Sequence, residues 1–580
     1  MKGPFLTLNV RMGPFMTKNA LSDIGSGGGQ RNADGAARTE KPVISAPVCN
    51  FDRWCAVMDI VRTSSRNIAI GCVAAVLLAL PAAASAGSAN ASALGTDLDS
   101  LLANPELAGG QAGLVVRNAD TGATLYSRLG DNLMVPASNM KLVTSATALD
   151  LLGADYTFDT LVRSTGTLSN GTLNGDLYLK GYGDPSTTLA DYQAMAAQVK
   201  QAGITSVTGH LIADDSYYDS VRLGPGWAWD DEPYWYSAQV SALTVSPDAN
   251  STSGSVNVTV APGAQGQPAV VTMTPPNTYL TVNNTATTGT STGLSVNRVH
   301  GTNTITVSGS IAAGAAPSTE QMSVDNPTGF VASLFGKALS DAGVSVAGTT
   351  AFQKMPSGTT AVASHTSAPI SQLLTPLFKQ SDNLVAETLT KAAGVQRFAS
   401  GSFVAGVNAL TSKLAALGID YNKYNQFDGS GLSRMDIVSP AEIAQLLINA
   451  QSRPWFQTWY NALPVAGNTN PAIGGTLANR MVGTAAANNV HAKTGSETGV
   501  SALSGYVTAA DGEKLVFSLL SNNFVPGSVK DVEDAVAVRL AQYNGANDTS
   551  HAPKFAPRSQ TAGKATDPRA SLECSWTHSC

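Results

Sequence analysis

Between about Tyr156 and His365 the chain changes character, and this interruption constrains the fold more than any other feature. Thr-rich alternating runs such as Ser255 to Ala261, Ala269 to Thr274 and Asn303 to Ser308, separated by Gly, Asn and Pro turns, predict a β-dominated insertion. The flanks read differently. Before it, strands at Ala112 to Val116 and Thr124 to Arg128 flank the Asn118-Ala119-Asp120-Thr121-Gly122 turn, and a helical pattern runs from Ser138 to Leu152, stopped by Gly153. After it, helices are predicted over Ile370 to Gln380, Asn383 to Ala393, Val404 to Leu417 and Pro440 to Gln451. Strands follow at His491 to Thr494, Val500 to Thr508 and Lys514 to Ser521, and a helix over Val529 to Tyr543 closes the region. The expected class is α+β, with one domain assembled from 95–160 and 367–543 and interrupted by 161–366. Within the insertion a helix is predicted from Asn326 to Ala342, with a strand near Val344 to Ala351.

The ends are set apart by composition. An apolar run from Ile68 to Ala84, preceded by Arg62 and Arg66 and followed by Ala84-Ser85-Ala86, reads as an export signal cleaved after Ala86, which leaves 1–86 outside the fold. An uncleaved anchor is the competing reading of the same run. Ser88 to Gly95 is a small-residue linker, Asp97 to Leu107 is expected to be helical, and 544–580 is polar, Pro- and Ala-rich and expected to be disordered. All five cysteines, Cys49, Cys55, Cys72, Cys574 and Cys580, fall in these ends, so the core can host neither a cysteine nucleophile nor a cysteine-ligated metal. His210, His300, His365 and His491 are scattered without ligand spacing, so no metal or cofactor is expected. A net charge of −6 without a Lys/Arg cluster argues against nucleic acid as a partner.

Three short motifs carry chemistry. In Ser138-Asn139-Met140-Lys141 the serine and lysine share one helical face, and a lysine in neutral form can take the proton of a serine that is otherwise a weak nucleophile. A helix-capping serine followed by a solvated lysine gives the same pattern, but no other lysine of the chain has serine three places before it. Ser381-Asp382-Asn383 lies between two predicted helices, where a hydroxyl can relay a proton and an amide can hold a carbonyl. Lys493-Thr494-Gly495 lies on a predicted edge strand, where a cation and a hydroxyl can hold a carboxylate and Gly lets a ligand backbone approach. A surface hairpin would also explain that tripeptide alone.

In this order the three form the S-x-x-K, S-D-N, K-T-G set of penicillin-binding proteins and serine β-lactamases. About 240 residues separate Ser138 from Ser381, room for extra domains beyond a compact β-lactamase core. The chain resembles the low-molecular-mass class C penicillin-binding proteins, the D-alanyl-D-alanine carboxypeptidase/endopeptidase family. The resemblance extends to Gly181-Tyr182-Gly183-Asp184-Pro185, Gly209-His210-Leu211, Asp428 to Arg434, Gly475-Thr476-Leu477 and Asn479-Arg480-Met481. It implies a penicillin-binding/serine β-lactamase-like domain holding two nested β-rich domains, and an exported enzyme cleaving the terminal D-Ala-D-Ala bond of peptidoglycan stem peptides, as a carboxypeptidase, or their D-Ala cross-links, as a D,D-endopeptidase.

By that resemblance, Ser138 is the nucleophile, also acylated by β-lactam antibiotics, and Lys141 is its base. Ser381 with Lys493 relays protons, Asn383 orients the peptide, and Thr494 with Lys493 binds the terminal carboxylate beside Gly495. The N–H of Ser138 and one just after Gly495 would form the oxyanion hole. Trp227 and Asp230, in an aromatic-rich loop, are expected to receive the amino-bearing side chain of the stem, or else to pack the insertion; Arg434 is expected to line the pocket or to be an ion-paired surface residue. Ser496-Glu497 follows Gly495 where the family more commonly has Thr-Leu, which bears on side-chain specificity. Cell-wall or peripheral membrane association is expected with such a substrate. The competing functions are a serine β-lactamase or esterase, which needs a separate water-activating residue, and a noncatalytic cell-wall-binding protein. A Ser-His-Asp hydrolase is disfavoured because no G-x-S-x-G elbow precedes a His/Asp pair.

Overall fold

The central element is an antiparallel five-stranded sheet whose outer strand carries the third motif. Its order is Thr124–Arg128, Gln111–Asn118, Lys514–Asn522, Val500–Thr508 and His491–Glu497. The computed structural model describes residues 92–250, 252–525 and 528–549; the export signal and most of the C-terminal segment read above lie outside the described residues. In Lys514–Asn522 the side chains alternate between two cores, as a strand covered on both faces requires. Val516 and Leu520 join the cluster built on Met140–Leu152, Ile370–Lys379, Asn383–Phe398 and Pro440–Ala450, whereas Leu515, Phe517 and Leu519 join one with Ala93–Leu102 and Lys530–Ala541. A buried ion pair, Arg539 Nε to Asp97 Oδ2 at 2.7 Å, ties the last two helices together.

The insertion leaves and returns through one pair of strands, Asp159–Ser164 against Thr360–Thr366. They belong to a mixed sheet with Leu177–Gly181, Leu211–Asp214 and Thr350–Phe352, against which the helices Leu189–Gln201 and Pro327–Asp341 pack. A small sheet of Ser345–Val346, Ser206–Val207, Thr172–Asn174 and Thr167–Ser169, and others formed by strands between Ser255 and Ser323, complete the region. Taken with the solved structures reported below, the architecture is α+β, as expected.

Several local readings need correction. Leu189–Gln201 is a helix inside a stretch read as strand and turn: a capping box of Thr188 and Asp191 starts it, and Tyr192, Met195, Ala196 and Val199 bury one face at helical spacing. The first helix begins at Ala93, capped by Ser92, and ends at Leu102, because Pro105 starts a separate 3₁₀ turn. A helix at Phe456–Ala462 was not expected. The ordered chain also runs past Asn544, through a 3₁₀ turn at Gly545–Asn547 to Asp548, whose carboxylate lies 2.5 Å from Arg539 Nη2. Among the described residues no helix is long and apolar enough to cross a membrane.

Candidate active site

Ser138 sits in a 3₁₀ turn, Ala137–Asn139, that runs directly into the helix Met140–Leu152. Two glycines shape the turn. Ala137 holds a left-handed φ of 46°, and Gly431, itself at φ +80°, packs so closely that a Cβ there would lie 2.0 Å from the Ala137 carbonyl oxygen. On the strand side, a Cβ on Gly495 would lie 2.9 Å from the Pro136 carbonyl oxygen. Asn139 fastens the two sides by donating from Nδ2 to the Lys493 carbonyl at 3.1 Å.

The helix brings Lys141 back under the serine. Lys141 is fully buried, and its Nζ lies 2.9 Å from Ser138 Oγ, 2.6 Å from Asn383 Oδ1 and 3.0 Å from the Ser430 carbonyl oxygen. Across the site Lys493 Nζ lies 2.8 Å from Ser381 Oγ and 2.7 Å from the Thr494 carbonyl oxygen. Ser381 adopts φ 59° in the break between Ile370–Lys379 and Asn383–Phe398, and Asp382 caps the second helix by accepting from the N–H groups of Leu384 and Val385. Asn383 therefore projects from the first turn of a capped helix, its Nδ2 donating to the Tyr236 carbonyl at 2.7 Å. Thr494 Oγ1 lies 2.9 Å from Thr476 Oγ1. The structure thus brings together Ser138, Lys141, Ser381, Asn383, Lys493, Thr494 and Gly495: two serines, each touching a buried lysine amine, beside an edge strand.

Beside this group lies a cavity of about 410 Å³ lined by Asp230, Asp231, Arg434 and Glu497 with Gly226, Ala228, Leu432 and Thr498. Asp230 and Arg434 stand in its wall; Arg434 is half-exposed, donates to the Thr498 carbonyl and lies 3.6 Å from Glu497 Oε2. It stands in the cavity wall and also within ion-pairing distance of Glu497. Trp227 is outside that wall: its indole N–H donates to Asp428 Oδ2 at 2.8 Å, and its ring meets Phe403 edge-on.

Four features were given no structural role in the reading of the sequence. The Ser430 carbonyl serves Lys141. Glu387 holds the loop that carries it, accepting from the N–H groups of Gly429 at 2.7 Å and Ser430 at 2.8 Å. Asp428 accepts from the N–H groups of Gly431 and Ser433, both at 2.7 Å. The Asp-Gly-Ser-Gly run, with two glycines beside a serine, was the available signal for this loop. Glu497 is only 6% exposed, and its Oε1 has no hydrogen-bond partner among the described residues.

Burial pushes the Glu497 carboxyl up to about 8 against the opposing pull of Arg434, and burial with the nearby Asp428 pushes Glu387 up to about 8. The unfolded chain ionises such a carboxyl above about 4.5, while the fold keeps it protonated to about 8. The folded state then binds more protons across that window, so stability falls as pH rises through it. Glu497→Gln should remove the share due to Glu497 and flatten the slope of Tm against pH between about 5 and 8. A variant whose Tm falls as steeply as that of the wild type would contradict this.

Comparison with known proteins finds that the family model described as the D-Ala-D-Ala carboxypeptidase 3 (S13) family matches residues 94–543. A D-alanyl-D-alanine carboxypeptidase of Actinomadura sp. (strain R39) is 43% identical over 511 residues, spanning 87% of this chain and 94% of its own length. The D-alanyl-D-alanine carboxypeptidase DacB of Haemophilus influenzae is 28% identical over 429 residues, spanning 73% of this chain and 87% of its own. Among solved structures, penicillin binding protein 4 of Haemophilus influenzae superposes with a TM-score of 0.66 at 27% identity, covering 76% of this chain and 97% of that one. The same protein complexed with a β-lactam gives a TM-score of 0.62 at 25% identity, covering 77% and 98%.

Proposed function

Because the chain belongs to the D-Ala-D-Ala carboxypeptidase 3 (S13) family, we infer that it is a serine peptidase that attacks D-Ala-D-Ala bonds of peptidoglycan stem peptides through an ester on Ser138, and that β-lactams acylate the same oxygen. The observation that carries this is the 2.9 Å contact between Lys141 Nζ and Ser138 Oγ. In its neutral form Lys141 takes the hydroxyl proton as Oγ attacks the carbonyl carbon of the penultimate D-Ala. The tetrahedral oxyanion is received by the N–H groups of Ser138 and Ser496. Collapse breaks the C–N bond, and Ser381 protonates the departing amine and is reprotonated by Lys493 at 2.8 Å. Water then cleaves the ester. With a β-lactam the same bond breaks, but the amine stays tethered in the opened ring.

Lys493 and Thr494 are suited to the terminal carboxylate as a cation and a hydroxyl on the edge strand, with Gly495 admitting the ligand backbone. Asn383 uses both ends of its amide, on Lys141 and on the Tyr236 carbonyl, so its first task is to set the base; it orients a peptide by exchanging one of those contacts. The side chain of the stem enters the cavity, where Asp230 and Asp231 meet its amino group and Arg434 a carboxylate. Trp227 supports that wall through Asp428. A peptidoglycan substrate places the enzyme outside the cytoplasmic membrane, against the cell wall.

Digestion of defined muropeptides tests the reading. The wild type is expected to release D-Ala from a pentapeptide ending in D-Ala-D-Ala, and pre-incubation with penicillin to abolish release with one equivalent of drug. Rapid catalytic turnover of the drug, with the pentapeptide left intact, would instead identify a β-lactamase.

A further inference from the structure

One aromatic side chain beside the cavity has no part in this chemistry. Trp229 lies between Ala228 and Asp230, both in the cavity wall, so its Cα is one step of about 3.8 Å from each. It is 75% exposed, more than any other large apolar residue among those described. It is also held: the indole stacks on His300 with ring centroids 3.8 Å apart and planes 5° from parallel. His300 Nδ1 lies 3.4 Å from Glu232 Oε2, and Glu232 Oε1 lies 2.5 Å from Arg298 Nη2. Arg298 is buried and fixed further by the Thr302 carbonyl at 2.6 Å and Ser323 Oγ at 3.0 Å. One face of the indole is therefore backed by the His300 imidazole, and the ring as a whole stays largely open to solvent. An aromatic ring whose orientation is already set loses little entropy on binding, which is why such rings dominate binding surfaces.

We propose that Trp229 is a subsite for the amino-sugar ring that carries the stem peptide, so that the enzyme reads the glycan as well as the peptide; this rests on the stem-peptide reading above. The flat C–H face of a pyranose is a broad apolar surface that such a substrate can lay on an indole. The ammonium of the stem side chain has nearer partners in the carboxylates of the cavity. Reach agrees with this. If the side chain of the stem's third residue fills the cavity, two residues and the lactyl ether remain before the sugar, and extended residues span at most about 3.6 Å each. The ring then lies within about 11 Å of that residue, a span that includes the rim where Trp229 stands.

The test compares kcat/KM for a free pentapeptide and for the same pentapeptide linked to its disaccharide, in the wild type and in Trp229→Ala. The wild type should favour the disaccharide-linked substrate by roughly three- to tenfold, the size of one aromatic contact. Trp229→Ala should lose that preference through KM, with the free peptide and the rate of penicillin acylation unchanged; Trp229→Phe should restore part of it. No preference in the wild type, or an undiminished one in Trp229→Ala, overturns the proposal. If penicillin acylates the enzyme but neither peptide is cut, the hydrolytic reading fails on its own. The subsite is then judged by titrating a soluble oligomer of β-1,4-linked N-acetylglucosamine against the fluorescence of both proteins: a saturable change lost in Trp229→Ala supports it, and none in the wild type overturns it.

Discussion

Lys141→Met is expected to slow acylation by penicillin roughly 10²–10⁴-fold, the usual range for loss of a general base, as measured by the time course of the covalent adduct. The variant keeps the length of the side chain but removes the amine 2.9 Å from Ser138 Oγ. It also strips Asn383 Oδ1 and the Ser430 carbonyl of a donor in a buried place, so some loss of stability accompanies the loss of rate. Lys141→Arg separates the two effects. A guanidinium can still donate to those acceptors but does not give up its proton near neutral pH, so this variant should recover stability without recovering rate. Recovery of fast acylation in Lys141→Arg would mean that the residue is needed for its charge and not as a base.

Gly431→Ala is the second large effect. A methyl there would sit 2.0 Å from the Ala137 carbonyl oxygen and 2.8 Å from Met140 Cβ, at a φ of +80° that alanine adopts only under strain. Either the turn holding Ser138 or the loop holding the Ser430 carbonyl has to move. We expect a loss of about 2–4 kcal/mol in stability and a drop in acylation of roughly 100-fold, as a displacement of about 1 Å at reacting groups produces. Gly109→Ala is the control: its φ is +82°, but an added Cβ meets no atom within 4 Å. It should show the backbone strain alone and acylate normally. Equal rates in the two variants would show that the contact with Ala137 does not position the nucleophile.

These two predictions mark how far the site was legible in the sequence. Ser138, Lys141, Ser381, Asn383, Lys493 and Thr494 were readable as candidates because their side-chain types suit the proposed chemistry, and because the order of three short motifs restricts the fold that can unite them. The Ser430 carbonyl was not, since a backbone oxygen has no signature of its own. Glu387 reads as an ordinary helix residue until the loop that it holds is seen. The change at Glu497 was visible as a departure from the commoner Thr-Leu, but its burial beside Arg434 depends on how the aromatic-rich loop folds over the strand. The helix Leu189–Gln201 was hidden for another reason: its apolar spacing is sound, but the surrounding Thr-rich runs favoured reading the whole region as strands. Trp227 shows the converse, an aromatic residue conspicuous in sequence that is engaged by Asp428 and Phe403.

Intact-mass spectrometry followed by peptide mapping after incubation with penicillin tests the role of Ser138 most directly. The wild type should gain one penicilloyl group, located on the peptide containing Ser138, and Ser138→Ala should gain none while unfolding at a similar temperature. An adduct on Ser138→Ala, or no adduct on the wild type, would contradict it.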